Sequence, residues 1–287
     1  MTAKKIDGKA VAVTMTEQTR IRVERIKATT GIVPGLAVIL VGDDPASQIY
    51  VRRKADQCRA IGMMSVEHRL QSDVAQKQLL DLVQRLNADL AVHGILVQLP
   101  LPAHITAAEV IEAIEPAKDV DGFHPTNIGR QVVGTGGVTP CTPMGCMILL
   151  KQEVPEMAGK DAIVIGMSNI VGKPLARLLL REECTVTVAH KATVDLREKV
   201  RRADIIVSAA GAPGLVKGSW IKPGAVVIDV GINRVERNGK KAIVGDVVYE
   251  EACNAAAITP VPGGVGPMTI ACLLHNAVDA AERALGL

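Results

Sequence analysis

Residues 161–174 read Asp161-Ala162-Ile163-Val164-Ile165, then Gly166-Met167-Ser168-Asn169-Ile170-Val171-Gly172-Lys173-Pro174. The first five predict a strand, and Gly172–Glu182 predicts a helix. Strand, glycine turn and helix in that order form the context of a dinucleotide site. A glycine at the turn lets a pyrophosphate approach the backbone, and the helix N-terminus offers N–H groups to it. The pattern departs from Gly-x-Gly-x-x-Gly, because Ser168 and Val171 occupy its second and third positions and Gly172 comes one residue later. Alone, the loop fits a plain α/β turn as well, so its reading depends on what surrounds it.

Thr185–Ala189 predicts the next strand, and His190-Lys191-Ala192-Thr193 follows it. Sites for NAD commonly carry an acid there for the ribose 2′-hydroxyl. Here a cation stands instead, and Lys191 suits a 2′-phosphate, which favours NADP. Ile205–Ala209 and Ala225–Val230 predict further strands. Their ends, Ser208-Ala209-Ala210-Gly211-Ala212-Pro213 and Asp229-Val230-Gly231-Ile232-Asn233, are small enough to leave room for a ligand.

An earlier α/β pattern precedes this one. Thr16–Lys27 has helical character, Leu36–Val41 reads as a buried strand, and Ala46–Ile61 as a helix started by Pro45 and stopped by Gly62. Val66–Leu70 predicts a strand. Val74–Asn87 predicts an amphipathic helix, with Leu79, Leu82, Val83 and Leu86 at helical spacing. Gly94–Gln98 predicts a strand and Ala107–Ile114 a short helix. Residues 119–143, rich in Gly, Pro and Thr, read as a long irregular segment. Met144–Gln152 and the tail Pro267–Ala284 read as helices. The fold class is therefore α/β: two α/β domains, the second dinucleotide-binding, with a cleft between them. Residues 1–140, joined by the C-terminal helix 267–287, make the first domain and residues 141–266 the second.

The chain has 287 residues, which against roughly 100–200 per domain suits two domains. Its aromatic residues are Tyr50, Phe123, Trp220 and Tyr249, so the core must be aliphatic. Base stacking on nucleic acid lacks its platforms. A net charge of +3 is too small to indicate a polyanionic partner. No apolar run reaches the roughly 20 residues of a membrane span, and MTAKKIDGKA lacks the apolar stretch of a signal peptide. The six cysteines are scattered, the closest pair, Cys141 and Cys146, flanking a Pro-Met-Gly turn. No metal-ligand spacing appears, and reduced thiols in a cytoplasmic protein is the expectation.

Tyr50 and Lys54 share a helix face at i, i+4. Tyr-x-x-x-Lys is also the catalytic pair of short-chain dehydrogenases. There, however, the pair follows the coenzyme loop, and here it precedes the loop by more than a hundred residues. On spacing alone a half-buried Tyr beside a snorkelling Lys is the simpler reading. Gln98 ends a strand just before Leu99-Pro100-Leu101-Pro102, and Asp121 sits within Lys118-Asp119-Val120-Asp121-Gly122-Phe123. Thr259-Pro260-Val261-Pro262-Gly263-Gly264-Val265-Gly266-Pro267-Met268-Thr269 has more Pro and Gly than a simple turn needs.

These motifs, in this order and at these spacings across nearly the whole chain, resemble the bifunctional methylenetetrahydrofolate dehydrogenase/cyclohydrolase family. The resemblance implies a second domain of Rossmann type. It implies hydride transfer from 5,10-methylenetetrahydrofolate to NADP, then hydrolysis of the methenyl product to 10-formyltetrahydrofolate. It makes Lys54 the residue that activates water and handles protons, and Gln98 the one that hydrogen-bonds and tunes it. Tyr50 would stack on the benzoyl ring of the folate and Asp121 would bind the pterin edge. Pro262 and Gly263 would shape the folate wall. Gly166, Met167, Ser168 and Ile232 would contact the coenzyme, and Lys191 and His190 would face the 2′-phosphate. Many members carry Arg where this chain has Met167, so coenzyme preference leans on Lys191 and His190. The resemblance also implies a homodimer formed through the coenzyme domain. A shikimate dehydrogenase-like enzyme would instead lack cyclohydrolase activity and an aromatic platform at Tyr50. A dinucleotide-sensing binding protein would bind without turnover.

Overall fold

The computed structural model describes residues 3–237 and 240–287. In chain order its elements begin with β1 (Lys4–Lys5), α1 (Gly8–Thr30), β2 (Gly35–Val41), α2 (Pro45–Ala60), β3 (Met64–Leu70), α3 (Gln76–Ala88), β4 (Gly94–Val97), α4 (Ala107–Glu112), α5 (Pro125–Val133) and α6 (Cys141–Glu153). They continue with β5 (Asp161–Ile165), α7 (Gly172–Arg181), β6 (Thr185–Ala189), α8 (Leu196–Arg202), β7 (Ile205–Ser208), β8 (Val226–Asp229), β9 (Asn233–Arg237), β10 (Lys240–Val244), β11 (Ala257–Ile258) and α9 (Val265–Leu285). The chain divides into two compact units. One comprises Val13–Cys141 with Ile270–Leu287, the other Met1–Ala12 with Thr142–Thr269.

In the first unit β3, β2 and β4 form a parallel sheet with β2 in the middle. All seven residues of β2, Gly-Leu-Ala-Val-Ile-Leu-Val, are buried. A strand covered on both faces needs such a continuous apolar run. Leu79, Leu82, Val83 and Leu86 of α3 close one face against Ala37, Ile39 and Val97. At the start of α2 the Asp44 carboxylate accepts from the Ser47 N–H at 2.7 Å, and Pro45 occupies the first turn. That start sets the phase that turns Ser47, Val51, Lys54, Ala55 and Cys58 inward.

The second unit carries a parallel sheet in the order β1-β11-β8-β7-β5-β6. From β5 the chain moves outward to β6, then returns to build β7 and β8 on the other side. The strand order reverses at β5, and the crevice at a reversal point is where α/β sheets bind ligands. The core is aliphatic: the largest fully buried side chains are Ile and Leu, including Ile163, Leu175 and Leu179 here and Leu36 and Ile39 in the first unit.

Several expectations need correcting. Residues 119–143 are not irregular throughout, because they contain α5. His124 Nδ1 accepts from the Thr126 N–H at 3.0 Å, Pro125 opens the helix, and Gly134 ends it at φ 76°. The Pro-Met-Gly turn between Cys141 and Cys146 lies inside α6. Helix α1 starts at Gly8, eight residues before Thr16, with Asp7 accepting from the Ala10 N–H at 3.2 Å. Helix α8, the β9–β10 hairpin and the short strands β1 and β11 were not anticipated. Among the described residues no helix is long and apolar enough to cross a membrane, and no disulfide occurs; of the cysteines only Cys253 is exposed.

Candidate functional site

Lys54 lies on the inward face of α2 and is only 8% exposed. A buried ammonium needs acceptors. Lys54 Nζ donates to Gln98 Oε1 at 3.1 Å. Gln98 follows β4, and its backbone N–H extends the ladder by donating to the Ile39 carbonyl at 2.9 Å. Its Nε2 donates to the Leu99 carbonyl at 2.7 Å, which turns Oε1 toward Lys54. Tyr50, one turn before Lys54, is half-buried on α2.

Asp121 belongs to the same unit. Loss of hydration raises its carboxyl from 3.8 to about 6, against the opposing pull of the Lys54 ammonium; Asp119 nearby adds to the rise. Its turn is held by groups around it. The buried Asp119 carboxylate accepts from the N–H groups of Gly122 (3.0 Å) and His124 (2.8 Å) and from Asn127 Nδ2 (2.9 Å). Asn276 of α9 donates to the carbonyls of Val120 (2.9 Å) and Thr139 (3.0 Å). The Cys141 thiol, pushed up by burial, donates to the Val120 carbonyl at 3.4 Å and lies 3.9 Å from Asp121 Oδ1. Lys118 gives its ammonium to the carbonyls of Leu86, Asn87 and Asp89 and is structural. Asp119, Asn127 and Asn276 were missed by the sequence reading. An Asp three residues before a Gly-centred turn was the available signal for Asp119; Asn276 offered none.

In the second unit Gly166 ends β5 at φ 118°, a conformation that favours glycine. A Cβ there would collide with the Ala209 carbonyl oxygen, and one at Gly172 would collide with the Gly166 carbonyl. The Ser at the second motif position has a local reason: Ser168 Oγ accepts from the N–H groups of Val171 (3.2 Å) and Gly172 (3.3 Å) and caps the entry to α7. Met167 and Ile232 are about half exposed, at 49% and 51%. His190 and Lys191 are exposed at the end of β6. There the His190 N–H donates to Thr193 Oγ1 at 2.8 Å, and His190 Nδ1 accepts from the Ala192 N–H at 3.3 Å. Thr259 is fully buried, and its Oγ1 accepts from the Asp229 N–H at 2.8 Å. Beyond it Gly263 sits at φ 106° beside exposed Pro262. The sequence-predicted residues thus fall into two sets. Tyr50, Lys54, Gln98 and Asp121 stand in the first unit; Gly166, Met167, Ser168, His190, Lys191, Ile232, Pro262 and Gly263 stand in the second. No metal-binding cluster occurs among the described residues.

A parallel sheet that reverses above a glycine turn places the chain among the α/β proteins that bind a dinucleotide. Comparison with known proteins narrows this. Residues 6–121 match the tetrahydrofolate dehydrogenase/cyclohydrolase catalytic domain and residues 140–285 match the NAD(P)-binding domain of the same family. The chain belongs to that family, and is a bifunctional dehydrogenase and cyclohydrolase. It is 60% identical over 282 residues to the bifunctional protein FolD 2 of Rhizorhabdus wittichii, covering 98% of this chain and 95% of that one. The crystal structure of FolD from Campylobacter jejuni matches with a TM-score of 0.94 at 49% identity, over 98% of this chain and 99% of that one. The Trypanosoma brucei methylenetetrahydrofolate dehydrogenase-cyclohydrolase, complexed with NADP cofactor and inhibitor, matches at 0.96 and 42% identity over all of both chains.

Proposed function

We propose that this chain oxidises 5,10-methylenetetrahydrofolate with NADP and hydrolyses the methenyl product to 10-formyltetrahydrofolate. In this reading Lys54 manages protons, Gln98 orients Lys54, Tyr50 stacks on the benzoyl ring and Asp121 holds the pterin edge. The supporting observation is the buried Lys54 ammonium bonded to Gln98 Oε1 at 3.1 Å, within electrostatic reach of Asp121. Residues 1–140 with the helix 267–287 would carry the folate chemistry, and residues 141–266 the coenzyme.

The turn fits a dinucleotide, because Gly166 and Gly172 leave the backbone bare where a side chain would collide. NADP, when bound, supplies the hydride acceptor. Met167 and Ile232 offer it half-exposed apolar surface, Ser168 shapes the turn, and Lys191 and His190 present cationic and N–H groups to a 2′-phosphate. The methylene carbon is flanked by two nitrogens, so losing a hydride leaves a delocalised cation and needs positioning more than a base. Hydrolysis does need proton transfer. The water oxygen bonds to the methenyl carbon and gives up both its protons as the formyl C=O forms, the bond from that carbon to N5 breaks, and one proton goes to N5 while the other is released to solvent. In this reading Lys54, once its ammonium has released a proton, acts as the free amine that takes one proton from the water and passes it to N5, with Gln98 fixing its direction. Pro262 and Gly263 form a stiff wall for the folate.

Such an enzyme serves one-carbon metabolism, feeding purine, methionine and histidine synthesis. A cytoplasmic location suits cysteines that form no disulfide among the described residues, and a homodimer is expected in solution. An absorbance assay tests the function by following methenyltetrahydrofolate formation and decay with NADP and with NAD. Absence of coenzyme-dependent formation would overturn it.

A further inference from the structure

Beyond the residues assigned above, the strand ends of the second unit enclose a carboxylate that the mechanism does not use. Asp246, two residues past β10, is completely buried. Its Oδ2 accepts from Ser208 Oγ (3.2 Å) and from the N–H groups of Ala210 (2.7 Å) and Gly211 (3.1 Å). Its Oδ1 accepts from the Ala212 N–H (2.9 Å) and Asn233 Nδ2 (2.9 Å). Three successive backbone amides converging on one point make an anion-binding nest. Here the chain fills the nest with its own side chain.

The neighbouring backbone is shaped to admit that carboxylate. A Cβ at Gly231 would collide with Asp246 Oδ1, and one at Gly245 would collide with Asp229 Oδ2. Asp229 in turn accepts from the N–H groups of Gly231 (2.9 Å), Asp246 (3.0 Å) and Val247 (2.8 Å), which fixes the backbone that presents Asp246. The loop Asp246 holds is the one that follows β7, at the reversal point of the sheet. Within it, the Ala209 carbonyl lies against Gly166 so closely that no Cβ fits between them. A rigid path therefore runs from Asp246 through residues 208–212 to the glycine turn.

We propose that Asp246 is a coenzyme-positioning residue: it fixes the loop Ser208–Ala212 and, through Ala209, the turn at Gly166. The proposal rests on the reading of that crevice as the NADP site. Because Asp246 occupies the nest, the amides of Ala210, Gly211 and Ala212 are closed to a phosphate, which leaves the turn at 166–172 as the place for the pyrophosphate. Asn233 is tied to the same carboxylate, so the segment carrying Ile232 is held in register with the loop.

The test is Asp246→Asn, which keeps the shape but sets an NH2 group against converging donors. NADP affinity is measured by calorimetry, NADP KM and kcat by methylenetetrahydrofolate oxidation, and hydrolysis by decay of supplied methenyltetrahydrofolate, which takes no coenzyme. The expected result is a loss of NADP affinity of about tenfold or more, the scale of a lost charge-assisted hydrogen bond. KM should move more than kcat, and the ratio of dehydrogenase efficiency to hydrolysis should fall about as far. A purely structural role would lower both activities together and leave that ratio in place, which overturns the proposal; so does an unchanged NADP affinity in folded protein. Should Asp246→Asn fail to fold, Ser208→Ala decides, since it removes only the hydroxyl bond. A weaker NADP affinity with unchanged hydrolysis supports the role, and an unchanged affinity overturns it. An unmodified enzyme inactive with NADP would sink the coenzyme reading itself, whereas an active parent matched by its variants sinks only the role of Asp246.

Discussion

Lys54 Nζ donates to Gln98 Oε1 at 3.1 Å, joining the inward face of α2 to the residue that follows β4. The direction of that bond is set from outside the pair, because Gln98 spends its own donor on the Leu99 carbonyl at 2.7 Å. The amide oxygen is left for the ammonium, and the ammonium keeps two further protons to direct elsewhere.

Lys54→Met keeps the stem and removes the amine. General acid–base participation is worth about 10²–10⁴-fold, and hydrolysis of supplied methenyltetrahydrofolate should fall by that order. Hydride transfer formally requires no base, so dehydrogenase activity should fall less. The measurement is hydrolysis corrected for the spontaneous rate; a variant as fast as its parent removes Lys54 from the mechanism.

Asp121 titrates near 6 rather than 3.8, because dehydration favours its neutral form. Below that pH the protonated carboxyl can no longer accept a pair of N–H donors. The folate KM should therefore rise as pH falls through about 6, and Asp121→Asn should flatten the profile. The stability sign is opposite. A carboxyl raised on folding contributes stability that is complete below about 4 and is lost as pH rises through about 6. Asp121→Asn should thus have a higher Tm than its parent near neutral pH, with the gap closing towards pH 4. Asp121→Ala should weaken folate binding by about 1.5–3 kcal/mol, the scale of a charge-assisted bond, and leave coenzyme affinity nearly unchanged.

Lys191 is exposed at the end of β6, where an NAD site commonly has an acid. Lys191→Ala should raise the NADP KM and leave that for NAD nearly unaltered. Equal efficiency of the unmodified enzyme with both coenzymes would refute the preference, and Met167, an uncharged side chain in the glycine turn, is the residue that would explain it.

What could be read in advance depended on how local the cause was. The run of β2 and the 79, 82, 83, 86 spacing of α3 are dictated by burial against near neighbours, and both stand where the pattern placed them. Helix α8 buries only Val200 in a charged stretch, so periodicity had nothing to show. Helix α5 was hidden by its Gly-rich surroundings, although Pro125 and Gly134 bracket it in the usual sense. For the site, Tyr50 and Lys54 were visible as an i, i+4 pair, but the partner of Lys54 is 44 residues away. Only the set of motifs linked Gln98 to it. Asp246 was invisible, because its donors come from two segments, 208–212 and Asn233, that meet only in the folded sheet.

The Asp119 carboxylate carries the last prediction. It is 2% exposed and receives the N–H groups of Gly122 and His124 and the Asn127 amide, which close the turn bearing Asp121. Asp119→Ala removes the acceptor and strands those donors in the interior, where an unsatisfied group costs about 1–3 kcal/mol. The Asn127 amide also donates to the Pro116 carbonyl at 2.9 Å and so keeps one partner. The penalty therefore falls mainly on the two backbone N–H groups, and a destabilisation of about 2–5 kcal/mol is expected. Asp121→Ala strands no such donors and, since it removes a dehydrated carboxylate, should cost little or even stabilise near neutral pH. The two variants should therefore separate: Asp119→Ala lowers unfolding free energy in urea and raises the folate KM through the distorted turn, whereas Asp121→Ala raises the folate KM with stability kept. Equal stability of Asp119→Ala and its parent would mean that the turn is held by Asn276 and the Val120 carbonyl, and that Asp119 is dispensable to it.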